Sequence, residues 1–435
     1  MTATGGRGLA LVTHSTKPRG GLVHTLSLAE ELYRQGVDVH LVALGDPAVG
    51  LFRPTPVPHT VLAGPTKEGS TLEQRVFAAI DTLAGGLAEL AGRFDVLHAQ
   101  DCIAARAAAR VRDAGAPVTV VRTVHHVDDF TTQALIDCQR KAIVEPDRVL
   151  VVSEQWRGIL RDEYGRDTEV VPNGVDPSRF PAPPARVCDE LRAGVGAGVS
   201  ADGTGADRTG ADGTGADRTG ADRTGADGTS RFVFLAVGGV EPRKGSVHAF
   251  RALARLRREG VDAVLAVVGG HSFQDYAAYR DAALGLLPEL GLTLGDDVVL
   301  LGTVSEAELA GWYHAADALC FPSVKEGWGL AVLEAMGAGL PVIASDLPVF
   351  REYLVHGRTA LLPAVADDVA LAAAMRAMVL DAGLRERLRA GGHALLPRYS
   401  WAASADRHQA IYAALRTAAP TFRESAWRRC RILSG

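Results

Sequence analysis

The sequence predicts a two-domain α/β protein, each domain a doubly wound parallel sheet with helices on both faces. Three observations carry that expectation. The chain has 435 residues, more than one ordinary core supports, and about 150 residues per domain gives two or three domains. Short, β-branched apolar runs alternate with longer helical stretches, and this pattern occurs twice. Between the two occurrences lies a repeat that holds no large apolar residue.

The first series of strands reads "LALVTH" (9–14), "DVHLVAL" (38–44), "FDVLHAQ" (94–100), "PVTVVRTVH" (117–125) and "DRVLVVSE" (147–154). Between the first two, "GGLVHTLSLAEELYRQG" is opened and closed by glycine, and Leu22, Leu26, Leu28, Ala29 and Leu32 form a helical stripe. Strand, helix and strand in this order, with continuously apolar strands, belong in a parallel sheet covered on both faces. The first domain is expected over 1–180, ending in the turn-rich "VVPNGVDPSRF".

A linker is expected over 181–230. Within it, 201–230 repeats the unit A-D-[G/R]-T-[G/S] six times. Nothing there can build a core, so the repeat reads as disordered. Calcium-binding solenoids are the competing reading, but their repeats are nonapeptides with an inward apolar residue, which this unit lacks.

The second domain is expected over 231–398. Its strands read "RFVFLAVGG" (231–239), "DAVLAVVGG" (262–270), "VVLLGT" (298–303), "DALCFPS" (317–323), "PVIASD" (341–346) and "TALLPA" (359–364). A ligand site is expected in an interdomain cleft, at the carboxyl ends of the strands.

Composition narrows the function. Apolar residues make up 47%, charged residues 22%, and the net charge is −5, so no basic footprint points to nucleic acid. The first apolar run is strand-length and lacks a charged lead-in, and no eighteen apolar residues run together. A cytoplasmic chain without a transmembrane segment is expected, with peripheral membrane contact left open. The five cysteines are scattered and never form CxxC, which fits reduced thiols better than disulfides or zinc.

The densest chemistry lies in "KEGWGLAVLEAMGAGLPVIAS", 325–345. A glycine-rich turn feeding a helix presents free backbone N–H groups and the positive end of the helix dipole, which suits a phosphate. Glu326 lies at the turn and Glu334 about two turns along the helix, where a carboxylate can hold a ribose diol. A phosphate alone would repel both acids; a nucleotide carrying a sugar gives each something neutral to bind. The rival reading is two unrelated surface acids.

Three other stretches add to this. "RGG" places Gly20 and Gly21 at a helix start. "EPRKG" supplies Arg243 and Lys244, positive charge of the kind a departing diphosphate needs, against the reading of a solvated basic turn. "TVHHVDDF" sets His125 and His126 after a strand, with Asp128 and Asp129 adjacent and so outside D-x-D spacing; no metal site is expected.

At this point the chain resembles the GT-B glycosyltransferases, specifically retaining family 4 (glycosyl transferases group 1) of actinobacterial type. The resemblance is carried by "LGTVSEAELAGWYHAADALCFPSVKEGWGLAVLEAMGAGLPVIASDLPVFREYL" (301–354), with its E-x7-E element from Glu326 to Glu334. "STKPRGGLVHTLSLAEELYRQGVDV", "TVHH", "VVPNGVD" and "VGGVEPRKG" follow the family's order over nearly the whole chain.

The resemblance implies that Glu334 binds the ribose hydroxyls and that Glu326 contacts the donor sugar near its C3 hydroxyl. It places the backbone of Gly327, Trp328, Gly329 and Leu330 near sugar and diphosphate, His125 on the donor sugar or its phosphate, and Lys244 on the phosphates. Gly20 and Gly21 would offer a second helix start to the diphosphate or acceptor. Similar enzymes often read G-R-L where this chain has Gly238, Gly239 and Val240, and Arg243 is expected to replace part of the missing arginine's charge. A helix over 399–418 would cross back onto the first domain, leaving a tail at 419–435. The implied activity is metal-independent, cofactor-free transfer of a hexose from a UDP-, GDP- or ADP-sugar to an unidentified acceptor hydroxyl.

Two other classes compete. A non-catalytic sugar-nucleotide sensor fits the altered "VGGV" loop. A dinucleotide-dependent oxidoreductase is disfavoured, because neither first-strand turn carries a clean G-x-G-x-x-G with an acid about twenty residues on.

Overall fold

The structure is a computed structural model that describes residues 8–65, 69–196, 231–270 and 276–431, the last stretch as backbone alone from residue 418. The repeat at 201–230 lies outside the described residues. Two compact units emerge, one made of 1–175 with 397–435 and the other of 176–396.

In the N-terminal unit the elements run β1 (Gly8–Thr13), α1 (Gly20–Arg34), β2 (Val39–Gly45), β3 (His59–Ala63), α2 (Leu72–Leu90), β4 (Phe94–Ala99), α3 (Cys102–Asp113), β5 (Thr119–Val124), α4 (Gln133–Val144), β6 (Arg148–Val151), α5 (Glu154–Tyr164) and β7 (Glu169–Val170). The strands form one sheet in the order β3-β2-β1-β4-β5-β6-β7, every pair parallel. All six residues of β1 are buried, as a central parallel strand between two helical layers requires. Strand order reverses between β1 and β4. At such a reversal the connecting loops diverge and leave room for ligand beyond the carboxyl ends.

The C-terminal unit contains α6 (Ala185–Gly196), β8 (Phe232–Val237), α7 (Ser246–Arg258), β9 (Ala263–Val268), α8 (Ala277–Gly285), β10 (Val298–Gly302), α9 (Glu306–Ala315), β11 (Ala318–Phe321), α10 (Leu330–Gly337), β12 (Val342–Ala344), α11 (Pro348–Arg351), α12 (Asp368–Leu380) and α13 (Ala382–Leu395). Its parallel sheet runs β10-β9-β8-β11-β12 and reverses between β8 and β11. Phe234, Phe250, Leu265, Cys320 and Ile343 are fully buried at its centre. Each large apolar side chain removed from water there contributes about 2 kcal/mol before the entropy of ordering is subtracted. Helix α14 (Trp401–Arg431) returns to the N-terminal unit and packs along α1.

Three features depart from the sequence reading. Residues 59–63 form an edge strand, paired with β2 and packed through Leu62 on α2, whose half-exposed side chains give too short an apolar run to announce it. Within the expected linker, 185–196 is helical, and its Arg192 donates to the carbonyl of Ala315 (2.7 Å) and to Asp317 (3.0 Å). Residues 359–364 are not a strand; they meet the sheet through one bridge, Leu361 with Ile343, beside a local bridge of Ala360 with His356. The Leu361 N–H donates to Val342 O and Leu361 O accepts from the Ala344 N–H. The next donation along the ladder falls to Pro363, which has no N–H.

Candidate functional site

In the C-terminal unit the loops after β8 and β11 meet at one carboxylate. The β11 loop turns at Pro322, and its Val324 N–H donates to the carbonyl of Arg243 at 2.9 Å, fixing the two loops together. Glu326, only 7% exposed, accepts at Oε1 from Lys244 Nζ (2.8 Å), Arg243 Nη1 (2.9 Å) and Ser323 Oγ (2.9 Å). Burial by itself would raise the Glu326 pKa, but Lys244 and Arg243 beside it bring it down to about 2. The Lys244 ammonium also stands over the Phe321 ring at 4.5 Å. Burial lowers the Lys244 pKa, and the Glu326 carboxylate opposes that. The result is a preorganised cluster of two cations on one anion, its charges set without solvent reorganisation.

From Glu326 the chain passes through Gly327, Trp328 and Gly329 into α10. Gly329 caps the helix with φ +88°, a left-handed conformation that glycine adopts without strain. Trp328 is buried and stacks on Tyr353, with ring centroids 4.9 Å apart, and Tyr353 donates to the Trp328 carbonyl at 2.8 Å. The turn is therefore held from behind, and Leu330 begins the helix with no side-chain cap. Glu334 lies in the second turn of α10, partly buried, and accepts from the Tyr313 hydroxyl at 2.8 Å. Burial, with Glu306 adding to it against the Tyr313 bond, pushes the Glu334 pKa up to about 7.

Gly239 corrects the simplest picture of the missing arginine. Its φ is +74°, and a Cβ there would stand 2.8 Å from the Gly270 carbonyl oxygen. An arginine could not occupy this backbone unchanged. Arg243, four residues along, is one of the two cations that reach Glu326.

In the N-terminal unit, Gly20 and Gly21 open the 15-residue α1, where Arg19 provides no side-chain cap and added Cβ atoms would meet nothing within 4 Å. His125 follows β5. Its Nε2 is 3.2 Å from Gln100 Oε1, and the edge of its ring meets His24 with centroids 4.5 Å apart. His24 is in turn held by Asn173 Oδ1 at 2.9 Å from Nδ1 and packs on Trp401 of α14. His98 bridges Tyr412 of α14 (2.6 Å) and Thr123 (2.7 Å). His126 approaches Asp128 at 3.4 Å. Burial lowers the pKa of His24, His98, His125 and His408, so this layer is a neutral, packed network. Among the described residues no three His, Cys, Asp or Glu side chains are placed to hold a metal ion.

Ser323, Tyr313, His24 and Asn173 were not singled out as site residues from sequence. His24, inside the apolar stripe of α1, is the one with a visible signal; the others acquire partners only through the fold.

Two parallel-sheet units of this topology, with an E-x7-E turn and helix in the second, define a glycosyltransferase of the GT-B fold. The family model for Glycosyltransferase Family 4 matches residues 18–179, and that for Glycosyl transferases group 1 matches 223–394. The chain belongs to this family, glycosyltransferase family 4.

Among curated relatives, the phosphatidyl-myo-inositol mannosyltransferase of Mycobacterium leprae is 26% identical over 414 residues, covering 92% of this chain and 94% of that one. The D-inositol 3-phosphate glycosyltransferase of Frankia alni is 27% identical over 418 residues, covering 90% and 93%. Among solved structures, Anabaena HepE in complex with UDP and glucose superposes with TM-score 0.72 at 18% identity, covering 94% of this chain and 100% of that one. Sucrose-phosphate synthase from Thermosynechococcus elongatus matches with TM-score 0.72 at 20% identity, covering 95% and 100%. No helix among the described residues is long and apolar enough to cross a membrane.

Proposed function

We propose that this glycosyltransferase moves a hexose from a nucleoside diphosphate sugar to a hydroxyl of an inositol-type acceptor, with retention and without a metal. The observation that carries the reading is the convergence of Lys244, Arg243 and Ser323 on Glu326. The two cations supply charge for the departing diphosphate, the work that a divalent metal does elsewhere. Glu326 takes the sugar hydroxyls, Glu334 the ribose diol, and the Gly327 to Leu330 backbone the phosphates.

In the reaction, the acceptor oxygen bonds to the sugar's anomeric carbon on the face the diphosphate leaves. The C–O bond breaks, its electron pair goes to the diphosphate, and a diphosphate oxygen takes the acceptor proton. No nucleophilic carboxylate is required, in contrast to retaining glycosidases. The N-terminal unit, with Gly20, Gly21 and His125, serves the acceptor and the donor sugar. The inositol class is supported by the activities for which the mannosyltransferase and inositol phosphate glycosyltransferase relatives are named. We place the enzyme in the cytoplasm, with peripheral membrane contact if the acceptor is a lipid.

The test is incubation of the full chain with UDP-, GDP- and ADP-linked glucose and mannose, offered with inositol phosphate or phosphatidylinositol vesicles, with and without EDTA. Nucleoside diphosphate release and an α-linked product, unchanged by EDTA, are expected. Donor binding with neither transfer nor slow donor hydrolysis would favour the sensor reading. Bound nicotinamide or flavin absorbance would favour the oxidoreductase.

A further inference from the structure

Arg122 is a buried charge of the N-terminal unit that the reading above does not use. It lies on β5, two residues from the strand's end, paired in register with Ala99 of β4 and Val149 of β6. The residue is 5% exposed, yet Nε and Nη1 are buried with no hydrogen-bond partner. Alternation along the strand turns Thr123 toward His98 and Arg122 toward the opposite face. Burial lowers its pKa, and Asp101 and Asp128 oppose that, with the neutral Cys102 thiol at the first residue of α3 also close by.

Neither acid supplies the missing bonds. Asp101 caps α3 and already accepts from the Ala104 N–H (2.8 Å), the His14 N–H (2.8 Å) and Thr13 Oγ1 (3.0 Å), with His14 Nδ1 also at 3.0 Å. Asp128 stands 3.4 Å from His126. Beside Arg122's register partner, Gln100 is 2% exposed and its Nε2 is likewise buried without a partner. Gln100 shares the His98 and His125 face, opposite Arg122, so the donors unmet on the α3 side are Arg122's own Nε and Nη1. A guanidinium buried without hydrogen bonds is costly, and a planar fork of N–H groups matches a phosphate in two-point fashion.

We propose that Arg122, beneath the His125 turn and beside the start of α3, binds a phosphate ester group of the acceptor. This rests on the acceptor role given above to the N-terminal unit, and it assigns that unit a residue which selects phosphorylated acceptors. The acceptor is then a polyol phosphate or a phospholipid headgroup, which share the phosphate ester.

The test is direct binding by calorimetry to full-length protein, which needs no turnover and so stands apart from the transfer assay. The probes are myo-inositol, myo-inositol 1-phosphate, and vesicles of phosphatidylinositol in phosphatidylcholine, with plain phosphatidylcholine vesicles as control. The wild type binds one of the two phosphate-bearing probes at least tenfold more tightly than its control, and which one identifies the source. Arg122→Met abolishes that preference, Arg122→Lys restores part of it, and affinity for the nucleotide sugar stays within twofold in both. Circular dichroism and the unfolding midpoint confirm that the variants are folded. Arg122→Met protein that keeps the full preference overturns the proposal, and so does wild-type protein that shows no preference in either arm. If Arg122→Met fails to fold, Arg122→Lys decides alone: an unchanged preference for the phosphate probe overturns the proposal, and a weakened one supports it.

Discussion

Substituting Glu334 offers a sharp test of donor binding, because its ionisation lies within the working pH range. Burial raises its pKa to about 7 from an ordinary carboxylate value near 4.5. That gap corresponds to about 3 kcal/mol against the charged form. If the ribose diol is held by the ionised carboxylate, binding must compete with protonation. Near pH 6 roughly a tenth of Glu334 is ionised and near pH 8 about nine tenths, so the dissociation constant for a nucleotide sugar should rise about tenfold on acidification. A nucleotide sugar is the right probe, since its diphosphate carries no group titrating in this window. Calorimetry in two buffers of different ionisation enthalpy should show proton release on binding near pH 6.5 in wild type and none in Glu334→Gln. The folded state holds this proton at pH values where the unfolded chain has lost it. Stability therefore falls as pH rises from about 4.5 to 7, and Glu334→Gln should gain up to about 3 kcal/mol at pH 8. A pH-independent affinity in wild type, without proton release, would refute the reasoning.

Lys244→Ala should lose at least a hundredfold in turnover while folding normally, since it removes one of the two cations on Glu326; near wild-type rates would remove its assigned role. Gly239→Arg should destabilise the C-terminal unit by about 1–3 kcal/mol through left-handed strain and the close Gly270 carbonyl, and a stable, more active variant would show that the loop can adopt another conformation. The buried histidines should make the N-terminal unit acid-labile. His24, His98, His125 and His408 are held neutral in the fold, so their contribution is present above the unfolded pKa near 6.5 and is lost as pH falls below it. For His408, whose pKa is lowered to about 4, the cost near pH 5.5 is about 1 kcal/mol, and hydrogen exchange of α1, β4 and β5 should show the loss, smaller in His408→Leu. Protection that is flat from pH 7.5 to 5.5 would contradict it.

Much of the fold was legible because its signals are local. Strands such as "LALVT" and "FVFLAV" are continuous apolar runs, and buried parallel strands need nothing else to announce them. The half-exposed edge strand at 59–63 carries no such run and exists through its partner. "TALLPA" looks like a strand in composition, but one missing N–H at Pro363 limits it to a bridge. Glu326, Glu334, Lys244 and Arg243 could be picked out by residue type and spacing. That a single oxygen of Glu326 gathers three donors could not, because Arg243 and Glu326 are 83 residues apart.

The sequence by itself determined the two α/β units, the glycine turn before α10 and the spacing of its two acids, all of which follow from patterns within a few helical turns. Only the tertiary structure decided the charge states. Burial lifts one of those acids to about 7 while two cations hold the other near 2. The same burial leaves Nε and Nη1 of Arg122, on β5, without hydrogen-bond partners. Ionisation depends on solvent exclusion and on neighbours distant in the chain, and neither is written in local sequence.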